Sequence, residues 1–408
     1  MRQSLLFSKI EKHDPKDEAA RNARLLIRGG FIAKVMAGVY DYLPLGLRVV
    51  KKITAIVREE MNALGAEELS LSVLQDKQHW MHTGRWDLAK EVMYQFTDAR
   101  GKEIGLGWTN EEPITALAKR FISSYKDLPR AVYQIQLKFR NEPRAKSGLL
   151  RGREFTMKDL YSFHADSNDL DRFYEQVAVA YEKIFRRVGL QARRTIASGG
   201  LFSEFSDEFQ VLADVGEDTV YACTSCPYTV NKEVAAKLKI ASQCKKCGGK
   251  VEEKRSIEVG NIFKLGTKYA EAFDLMYRRR DGTAAPVVMA SYGIGIGRLM
   301  GTLVEVFHDQ HGIIWPASVA PYQVHLLNFG GGDAEKVYRA LLQEKVEVLY
   351  DDREGVSQGQ KLVEADLLGI PIRAIVGGKT KDKIEVKKRS DSDVAYRTLK
   401  QFLAELRK

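Results

Sequence analysis

Arg140 and Glu142 carry opposite charges and lie two residues apart at the end of a regularly alternating segment. In that segment, 133–139, apolar residues occupy every second position, which predicts a strand with one buried face and one polar face. The same alternation places both charged side chains on the polar face. An arginine can bind phosphate oxygens through two parallel hydrogen bonds, and a carboxylate can accept one from the amine of a base. The spacing predicts a nucleotide site, and a surface salt-bridge ladder is the alternative.

Alternating glycines, Gly293, Gly295 and Gly297, lead into Arg298 and a predicted helix. The dinucleotide-binding fingerprint places its third glycine three residues after the second, so this run disfavours a Rossmann site. Glycines that let a helix pack closely on a strand are the structural alternative. Arg298 stands near the start of the helix, where a cation opposes the helix dipole. Its position therefore predicts that it binds an anion such as a terminal phosphate.

All four cysteines of the chain fall into two pairs, Cys223 with Cys226 and Cys244 with Cys247. Each pair has two intervening residues, and the distance between the pairs lies within the range of a zinc ribbon. Four thiolates can surround one Zn²⁺ and leave no open position, so the predicted metal is structural rather than catalytic. Free thiols in a reducing compartment, or a disulfide pair, are the alternatives.

The chain has 408 residues, enough for two or three domains, with 44% hydrophobic and 29% charged residues, as is typical of a soluble globular protein. A formal net charge of +10 is consistent with a nucleic-acid partner. No apolar run reaches the roughly 18 residues of a membrane span. The N-terminal apolar stretch is too short for a signal peptide. We therefore expect a cytoplasmic protein.

Several elements must position these residues. Apolar periodicity predicts helices over 17–28, 45–64, 111–124 and 168–188, and a helix that ends near 307 after the glycine run. A strand over 286–290 precedes the glycines, and another begins near Arg153. Beyond residue 322 strands alternate with helices, which predicts a separate α/β domain. Its strands are expected at 323–329, 346–350, 372–376 and 383–388, and its helices at 333–344, 357–368 and 393–406.

These motifs carry a resemblance to a known family. Arg140 and Glu142, with Arg153-Glu154-Phe155, resemble motif 2 of class II aminoacyl-tRNA synthetases, and the glycine run through Arg298 resembles motif 3. More specifically, the chain resembles bacterial-type prolyl-tRNA synthetases nearly end to end. The segments that carry this resemblance are 2–4, 38–46, 109–112, 148–155, 157–159, 161–164 and 291–293, with 351–353 and 369–372 in the last domain.

The resemblance implies a fold of the α/β class with four parts. Residues 1–218, with motifs 1 and 2, and 256–315, with motif 3, form an α+β catalytic domain on the antiparallel class II sheet with flanking helices. A small zinc-ribbon-like insertion with the four cysteines occupies 219–255, and an α/β anticodon-binding domain occupies 320–408. The implied activity is ATP-dependent formation of prolyl-adenylate, with transfer of proline to tRNA-Pro. The implied partners are ATP, Mg²⁺, L-proline, tRNA-Pro and a second copy of the chain.

The resemblance also implies roles for single residues on the ATP side. Arg140 and Arg298 are the expected catalytic residues. Arg140 binds the α-phosphate and the carboxylate of proline, and Arg298 binds the γ-phosphate. Glu142 binds the adenine amine, and Phe155 stacks on the adenine ring. Positioning and charge neutralisation are what in-line attack on the α-phosphorus requires.

Further roles concern the metal ion, the amino acid and the anticodon. Glu208 and Gln210 are the expected contacts to Mg²⁺ and the ribose. The expected proline-binding residues are Thr109, Glu111, Arg140, His164, Ser291 and Gly293. The residues expected to face the anticodon are Asp352, Arg353 and Lys361.

The chain departs from the family at several positions. Only about 130 residues separate Phe155 from Pro286, too few for the editing domain of long bacterial members, so we expect no cis-hydrolysis of Ala-tRNA-Pro. Ser72 stands where motif 1 ends in proline, and Trp108 where the family has proline before Thr109. The alternatives are a threonyl or glycyl enzyme, a non-catalytic tRNA-binding paralogue, and a zinc-ribbon nucleic-acid module.

Overall fold

The computed structural model describes residues 1–200 and 203–407. The helices are α1 Arg21–Arg28, α2 Pro44–Ala63, α3 Lys77–His82, α4 Arg85–Leu88, α5 Glu111–Ala118, α6 Ser167–Val188, α7 Lys232–Ala235, α8 Lys268–Ala272, α9 Ile296–Val306, α10 Ala334–Gln343, α11 Gln358–Leu368 and α12 Leu399–Leu406. The strands of the first half are β1 Ile32–Met36, β2 Val39–Tyr42, β3 Glu67–Glu68, β4 Leu74–Asp76, β5 Gln95–Thr97, β6 Glu103–Leu106, β7 Arg130–Phe139, β8 Glu154–His164 and β9 Ala192–Ser198. Those of the second half are β10 Phe205–Leu212, β11 Asp218–Cys223, β12 Thr229–Asn231, β13 Val251–Gly266, β14 Met276–Arg278, β15 Ala284–Pro286, β16 Val288–Gly295, β17 Val324–Asn328, β18 Val348–Asp351, β19 Ile372–Val376, β20 Ile384–Lys388 and β21 Val394–Arg397.

A large sheet carries the predicted ATP and proline motifs. Its strand order within the described residues is β10-β9-β12-β11-β13-β16-β8-β7-β3. The central strands β13, β16, β8 and β7 pair antiparallel, as expected. Motifs 2 and 3 are therefore neighbours: β16 holds the glycine run and pairs with β8, which pairs with β7.

The large sheet closes on itself at one end. β10 pairs antiparallel with β13 as well as with β9, so β10, β9, β12, β11 and β13 form a hydrogen-bonded ring. β13 is long enough to pair first with β11 and then with β16 along one edge, while β10 pairs with its other edge. Two strands of the predicted zinc-ribbon-like insertion, β11 and β12, thus belong to the same sheet as the catalytic motifs.

The predicted insertion boundary at 255/256 falls inside β13, which runs without a break through Val251–Gly266. The expected strand at 286–290 also differs in its bounds, because Ala284–Pro286 pairs with β14 and the motif 3 strand begins at Val288. Both differences arise because strand pairing, which is not local in the sequence, decides where a strand starts and ends.

Helix α6 covers the end of the sheet that forms the ring. The aromatic side chains of Tyr181 and Phe185 on this helix have their centroids 5.2 and 5.4 Å from that of Phe209 on β10. Asp166 caps the helix by accepting a hydrogen bond from the Asp169 backbone N–H at 2.9 Å, and Gly189 ends it with φ +99°. The packing of Tyr181 and Phe185 against Phe209 fixes the strands behind the expected ATP residues.

The faces of β7 differ from the prediction. Its polar side chains Gln134 and Lys138 are buried, whereas the apolar Leu137 is 42% exposed. The reason is electrostatic: the Lys138 ammonium forms an ion pair with the Asp159 carboxylate of β8 at 2.9 Å, and the Gln134 amide donates to the same carboxylate at 2.9 Å. Polar residues on this face are therefore buried as a paired network rather than exposed to solvent.

Two predicted helices are shorter than expected. The first begins at Arg21 rather than 17, and the carboxylates of Asp17 and Glu18 instead contact Lys34, with distances of 2.9 and 3.5 Å. The helix predicted at 111–124 ends at Ala118. Both ends lie where tertiary contacts and turns replace the helical pattern, which propensity alone does not indicate.

The C-terminal part is an α/β domain with a five-stranded sheet in the order β18-β17-β19-β20-β21. The helix expected over 393–406 is wrong at its start, because Val394–Arg397 is the edge strand β21, paired antiparallel with β20. Thr398 then caps α12 through a capping box with Gln401. No helix in the described part of the chain is long and apolar enough to cross a membrane.

Candidate active site

Arg140 lies just past the end of β7, where the pairing with β8 continues by one bond. The Arg140 backbone N–H donates to the Arg153 carbonyl oxygen at 2.8 Å. The guanidinium carbon of Arg140 lies 5.2 Å from the ring centroid of Phe155 on β8. The alternation of the two strands thus places a cation beside an aromatic face, as a nucleotide site requires.

The predicted ATP residues Arg140, Glu142, Phe155 and Arg298 line one cavity. Residues to which the sequence analysis gave no role also line it, and these include Arg151, Glu258 and Asn261. Glu258 and Asn261 lie on β13, next to the motif 3 strand. The signal for them in the sequence is that they are the two polar side chains in the stretch 257–263 of β13.

Arg298 occupies the first turn of α9 and contacts β13. Its Nε donates to the Leu150 carbonyl oxygen at 2.9 Å, and its Nη1 lies 3.1 Å from a Glu258 carboxylate oxygen. A Cβ at Gly297 would lie 2.5 Å from the Tyr42 hydroxyl oxygen, so a larger residue there would have to displace the Tyr42 side chain. The glycine run therefore lets the helix start come close enough to present Arg298 to the cavity.

The guanidinium of Arg140 is poorly compensated. Its Nε lies 3.4 Å from the Trp108 carbonyl oxygen, and its Nη2 lies 4.0 Å from the Met157 sulfur. Burial first, and then the nearby guanidinium of Arg298, lowers the pKa of Arg140. Because arginine stays charged in proteins, two nearby guanidinium groups create a positive potential suited to phosphate.

A second cavity meets the first at Arg140. It is lined by the expected proline residues Thr109, Glu111, Ser291 and Gly293 and, in addition, by Arg85, Trp108, Lys138, Asp159 and Tyr161. Arg140, Met157, Asn261 and Gly293 line both cavities. The Thr109 hydroxyl donates to the Glu111 carboxylate. The cavity that contains the Glu111 carboxylate thus adjoins the cavity that contains Arg298, with Arg140 lining both.

His164 is not among the residues that line the second cavity. Met157, Asp159 and Tyr161 of β8 face this cavity, so alternation places His164 on the opposite face of the sheet. There its Nδ1 lies 2.7 Å from the Asp169 carboxylate of α6. The prediction of direct contact between His164 and the amino acid is therefore not matched by this geometry.

Glu208 and Gln210 lie on β10, one strand behind the first cavity. In the register of β10 with β13, Glu208 is opposite Asn261 and Gln210 is opposite Glu258. The Gln210 amide donates to a Glu208 carboxylate oxygen at 2.8 Å and to Asp218 at 2.9 Å. Burial first, and then the Glu258 carboxylate, raises the pKa of Glu208 to about 8. Such a group of carboxylates is chemically suited to a divalent cation.

The residues expected to face the anticodon are held by other parts of the protein. The Asp352 carboxylate accepts from the Ser4 backbone N–H at 3.0 Å and from the Ser4 hydroxyl at 2.8 Å. Arg353 donates to Asp351 at 2.7 Å and to Glu364 at 2.6 Å.

Lys361 differs most from the prediction, because its side chain is buried. Its ammonium donates to the carbonyl oxygens of Asn328 at 2.9 Å and Asp351 at 3.3 Å. The helical face that carries Lys361 points toward the strands, so an exposed position for this lysine is wrong.

The four cysteines converge at one point. The Sγ atoms of Cys223 and Cys247 lie 3.5 Å apart, those of Cys226 and Cys244 lie 3.6 Å apart, and all four lie within 4.8 Å of one another. A tetrahedral zinc ion with bonds of about 2.3 Å separates its thiolates by roughly 3.8 Å. The distances fit Zn²⁺ and exceed the roughly 2.05 Å of a disulfide, so the disulfide alternative does not hold.

Two family models match the chain. The tRNA synthetase class II core domain (G, H, P, S and T) matches residues 94–307, and the anticodon binding domain matches 323–408. The proline–tRNA ligase of Rhodopseudomonas palustris (strain HaA2) is 39% identical over 440 aligned residues, covering 100% of both chains. That of Sulfurimonas denitrificans is 38% identical over 437, covering 98% of this chain and 100% of the relative. The chain belongs to the proline–tRNA ligase family.

Membership in the proline–tRNA ligase family excludes the broader alternatives. Similarity over the whole chain opposes a threonyl or glycyl enzyme and an isolated zinc-ribbon module, and it does not favour a non-catalytic paralogue. A proline–tRNA ligase of Coprothermobacter proteolyticus is 32% identical over 539 aligned residues, covering 96% of each chain. Because this alignment is longer than the 408 residues of the chain, the relative has additional residues inside the matched region.

Solved structures agree with the proline–tRNA ligase fold. Prolyl-tRNA synthetase of Cryptosporidium parvum, complexed with L-proline and AMP, gives a TM-score of 0.78 at 14% identity, over 97% of this chain and 76% of that one. The Giardia lamblia enzyme, in complex with prolyl-adenylate, gives 0.77 at 17% identity, over 93% and 74%. At these identities the likeness concerns the fold alone.

Trp108, where this chain departs from the family pattern, forms a wall of the second cavity. Its ring stacks on Trp80 with the centroids 5.8 Å apart, and the Arg85 guanidinium carbon lies 5.1 Å from the Trp108 ring. Arg85 in turn forms a buried ion pair with Glu112 at 2.9 Å. The exchange of proline for tryptophan is thus accommodated by an aromatic and cationic cluster beside Thr109.

Proposed function

We propose that this chain activates L-proline with ATP and transfers the prolyl group to the 3′ end of tRNA-Pro. The single observation that carries the proposal is that Arg140 lines both cavities, the one with the Arg298 guanidinium and the one with the Glu111 carboxylate. A side chain at that junction can bind the carboxylate of one substrate and the α-phosphate of the other together. When the carboxylate of proline attacks the α-phosphorus of ATP, holding the two reactants in line is the larger part of catalysis.

On the ATP side the proposed roles follow from the lining of the first cavity. Arg140 binds the α-phosphate, and Arg298 binds the γ-phosphate. Phe155 stacks on the adenine ring, whose amine donates to Glu142. Support comes from the closeness of the two guanidinium groups and from the aromatic face beside Arg140.

Mg²⁺ is proposed to be held by Glu208 with the help of Gln210, which also contacts the ribose. When bound, the ion neutralises phosphate charge. Carboxylate and amide oxygens are suitable ligands for this ion, and the carboxylate of Glu258 adjoins them and also contacts Arg298. This acidic group lies on the side of the cavity where Arg298 is proposed to bind the terminal phosphate.

On the amino-acid side Thr109 and Glu111 are proposed to bind the imino group, which as a secondary ammonium requires an anionic acceptor. Ser291 and Gly293 complete the cavity. A Cβ at Gly293 would lie 2.4 Å from the Met157 Cε, so a larger residue there would fill the space. His164 is proposed to act from behind the sheet, by fixing β8 against Asp169 of α6.

The remaining proposals concern metal, assembly, location and fidelity. The four cysteines hold one structural Zn²⁺, the protein is a cytoplasmic homodimer, and the C-terminal domain binds the anticodon through its exposed residues near Asp352 and Arg353.

The chain does not hydrolyse Ala-tRNA-Pro in cis, because the segment between β10 and β13 is short. Loss of purified Ala-tRNA-Pro on incubation with the protein would contradict the last proposal.

ATP–pyrophosphate exchange with each of the twenty amino acids tests the main proposal. We expect exchange with proline that exceeds exchange with all others, and loss of it by about a hundredfold in Arg298→Ala, since a charged transition-state contact is removed. Arg130→Ala, an exposed change at the opposite end of β7, is the matched control and should retain exchange. Absence of proline-dependent exchange would overturn the proposal.

A further inference from the structure

The segment 218–255, which contains the four cysteines and is called the four-cysteine segment below, reaches the carboxylates behind the ATP cavity. Its strands β11 and β12 complete the ring of five strands that contains β10 and β13. From β10 come Glu208 and Gln210, from β13 comes Glu258, and from the four-cysteine segment come Asp218 at the start of β11 and Asn231 at the end of β12. The ring therefore places two side chains of this segment next to the proposed Mg²⁺ ligands.

Asn231 makes two hydrogen bonds that define its orientation. Its Oδ1 accepts from the Glu233 backbone N–H at 3.2 Å, which caps α7. Its Nδ2 donates to a Glu208 carboxylate oxygen at 3.2 Å. Because the cap requires an acceptor, the amide oxygen faces α7 and the amide nitrogen must face Glu208.

The four-cysteine segment is fixed to the ring independently of this contact. Arg193 of β9 donates through Nη1 to the carbonyl oxygens of Cys223 at 2.9 Å and Cys226 at 3.3 Å. Thr195 of β9 is opposite Glu208 on one side and opposite Thr229 of β12 on the other. The first cysteine pair, β12 and Glu208 are thus joined across a single strand.

We propose that Asn231 is a positioning residue of the ATP site, and that the four-cysteine segment is the element that holds it against Glu208. This inference rests on the proposed role of Glu208 in binding Mg·ATP. A buried carboxylate is held in one orientation by hydrogen bonds from amide donors, and Glu208 receives two, from Gln210 and Asn231. Asn231 therefore fixes the orientation in which Glu208 meets the cation.

Equilibrium binding of Mg·ATP and of L-proline to the full chain, measured separately by calorimetry, tests this role. Asn231→Asp retains the cap of α7 but replaces the donor with a second carboxylate facing Glu208. We expect the Kd for Mg·ATP to rise about tenfold and the Kd for proline to change less than about twofold. Asn231→Ser also retains the cap but is too short to reach Glu208, and should raise the Kd for Mg·ATP about threefold.

Two further variants separate this inference from the proposed function. Lys232→Gln, whose ammonium pairs with Glu253 on the surface, is the matched control and should bind Mg·ATP unchanged. Glu208→Gln should itself weaken Mg·ATP binding, and Asn231→Asp in that background should add nothing if Asn231 acts through Glu208. An unchanged Kd in Glu208→Gln would overturn the role of Glu208. The inference would be overturned if Glu208→Gln weakens Mg·ATP binding but Asn231→Asp and Asn231→Ser leave the Kd unchanged. It would also be overturned if the effects of Glu208→Gln and Asn231→Asp on the Kd are additive.

Discussion

At the scale of the residue, the site depends on charges that are brought together and only partly compensated. Arg140 has long contacts to Trp108 and Met157, and the guanidinium of Arg298 on another element lowers its pKa. Two guanidinium groups that repel each other are costly unless an anion lies between them. The phosphates of ATP can supply that anion.

Arg140→Lys tests whether the forked geometry matters beyond the charge. Lysine offers a point charge and cannot bind a carboxylate and a phosphate oxygen with two parallel hydrogen bonds. We expect proline-dependent ATP–pyrophosphate exchange to fall by about two orders of magnitude, with little change in melting temperature. Arg144→Lys, an exposed change in the loop after β7, should leave exchange intact. Equal activity of Arg140→Lys and the unchanged protein would contradict the proposed role.

Glu208 predicts a pH dependence of Mg·ATP binding. Its pKa is raised to about 8 by burial, by Glu258 and by Asp218, so the carboxyl holds its proton at pH 7 and must lose it to the solvent when the cation binds. Arg298 is the nearby cation, paired with Glu258. At one pH unit below the pKa the affinity should be about tenfold weaker than above pH 8.5.

Calorimetry in two buffers with different ionisation enthalpies measures the proton released on binding. We expect close to one proton at pH 7 and almost none at pH 9. Glu208→Gln should lose both the proton release and the pH dependence of the affinity. Binding that is independent of pH in the unchanged protein would show that Glu208 is already ionised.

At the scale of the element, β13 joins the parts of the site. One edge pairs with β10, and the other pairs with β11 and then with β16, which carries the glycine run. The four-cysteine segment is therefore part of the catalytic sheet rather than an appended module. A change in its metal content should reach the ATP site through strand pairing.

Removal of a cysteine tests the structural metal. We expect one zinc per chain by elemental analysis, and Cys244→Ser should lose it with a fall in melting temperature of at least about 5 °C, because metal binding contributes folding energy. Ser225→Ala lies between the first two cysteines and should keep the zinc. If the unchanged protein contains no zinc and melts at the same temperature as Cys244→Ser, the thiols are free.

At the scale of the whole molecule, the N-terminal segment connects the catalytic and C-terminal parts. Arg2 forms ion pairs with Glu335 at 2.8 Å and with Asp352 at 3.3 Å. The Gln3 side-chain oxygen lies 2.8 Å from the Nε2 of the buried His325. Family segments at the two ends of the chain thus contact each other, so a change at Asp352 affects domain attachment as well as any contact with RNA.

His325 predicts a loss of stability in acid. Complete burial lowers its pKa from 6.5 to about 3, so the folded protein holds this imidazole neutral while the unfolded chain protonates it. The contribution of this neutral imidazole to the free energy of unfolding is present above pH 6.5 and is lost as the pH falls toward 3. Between pH 6.5 and pH 5 the loss is about 2 kcal/mol.

Denaturant unfolding at pH 7 and pH 5 measures this effect. His325→Asn can retain a hydrogen bond to Gln3 but does not titrate, so its stability should fall by about 2 kcal/mol less than that of the unchanged protein over this range. An equal fall in both proteins would place the acid sensitivity elsewhere.

The sequence by itself determined the residue types that do chemistry and most of the elements that carry them. Alternation indicated the strand before Arg140, the glycine run predicted a strand followed by a helix with Arg298 at its start, and cysteine spacing predicted the cluster of four thiols. These signals are local, because side chains two to four residues apart decide the pattern of a strand or helix.

The tertiary structure alone decided which side chains meet. It buried Lys138 against Asp159, placed His164 behind the sheet, turned Lys361 inward and made 394–397 an edge strand. It also placed Glu258 and Asn231 next to Glu208. Each of these outcomes depends on strand pairing or on charge compensation between residues far apart in the sequence, and neither is expressed in a local pattern.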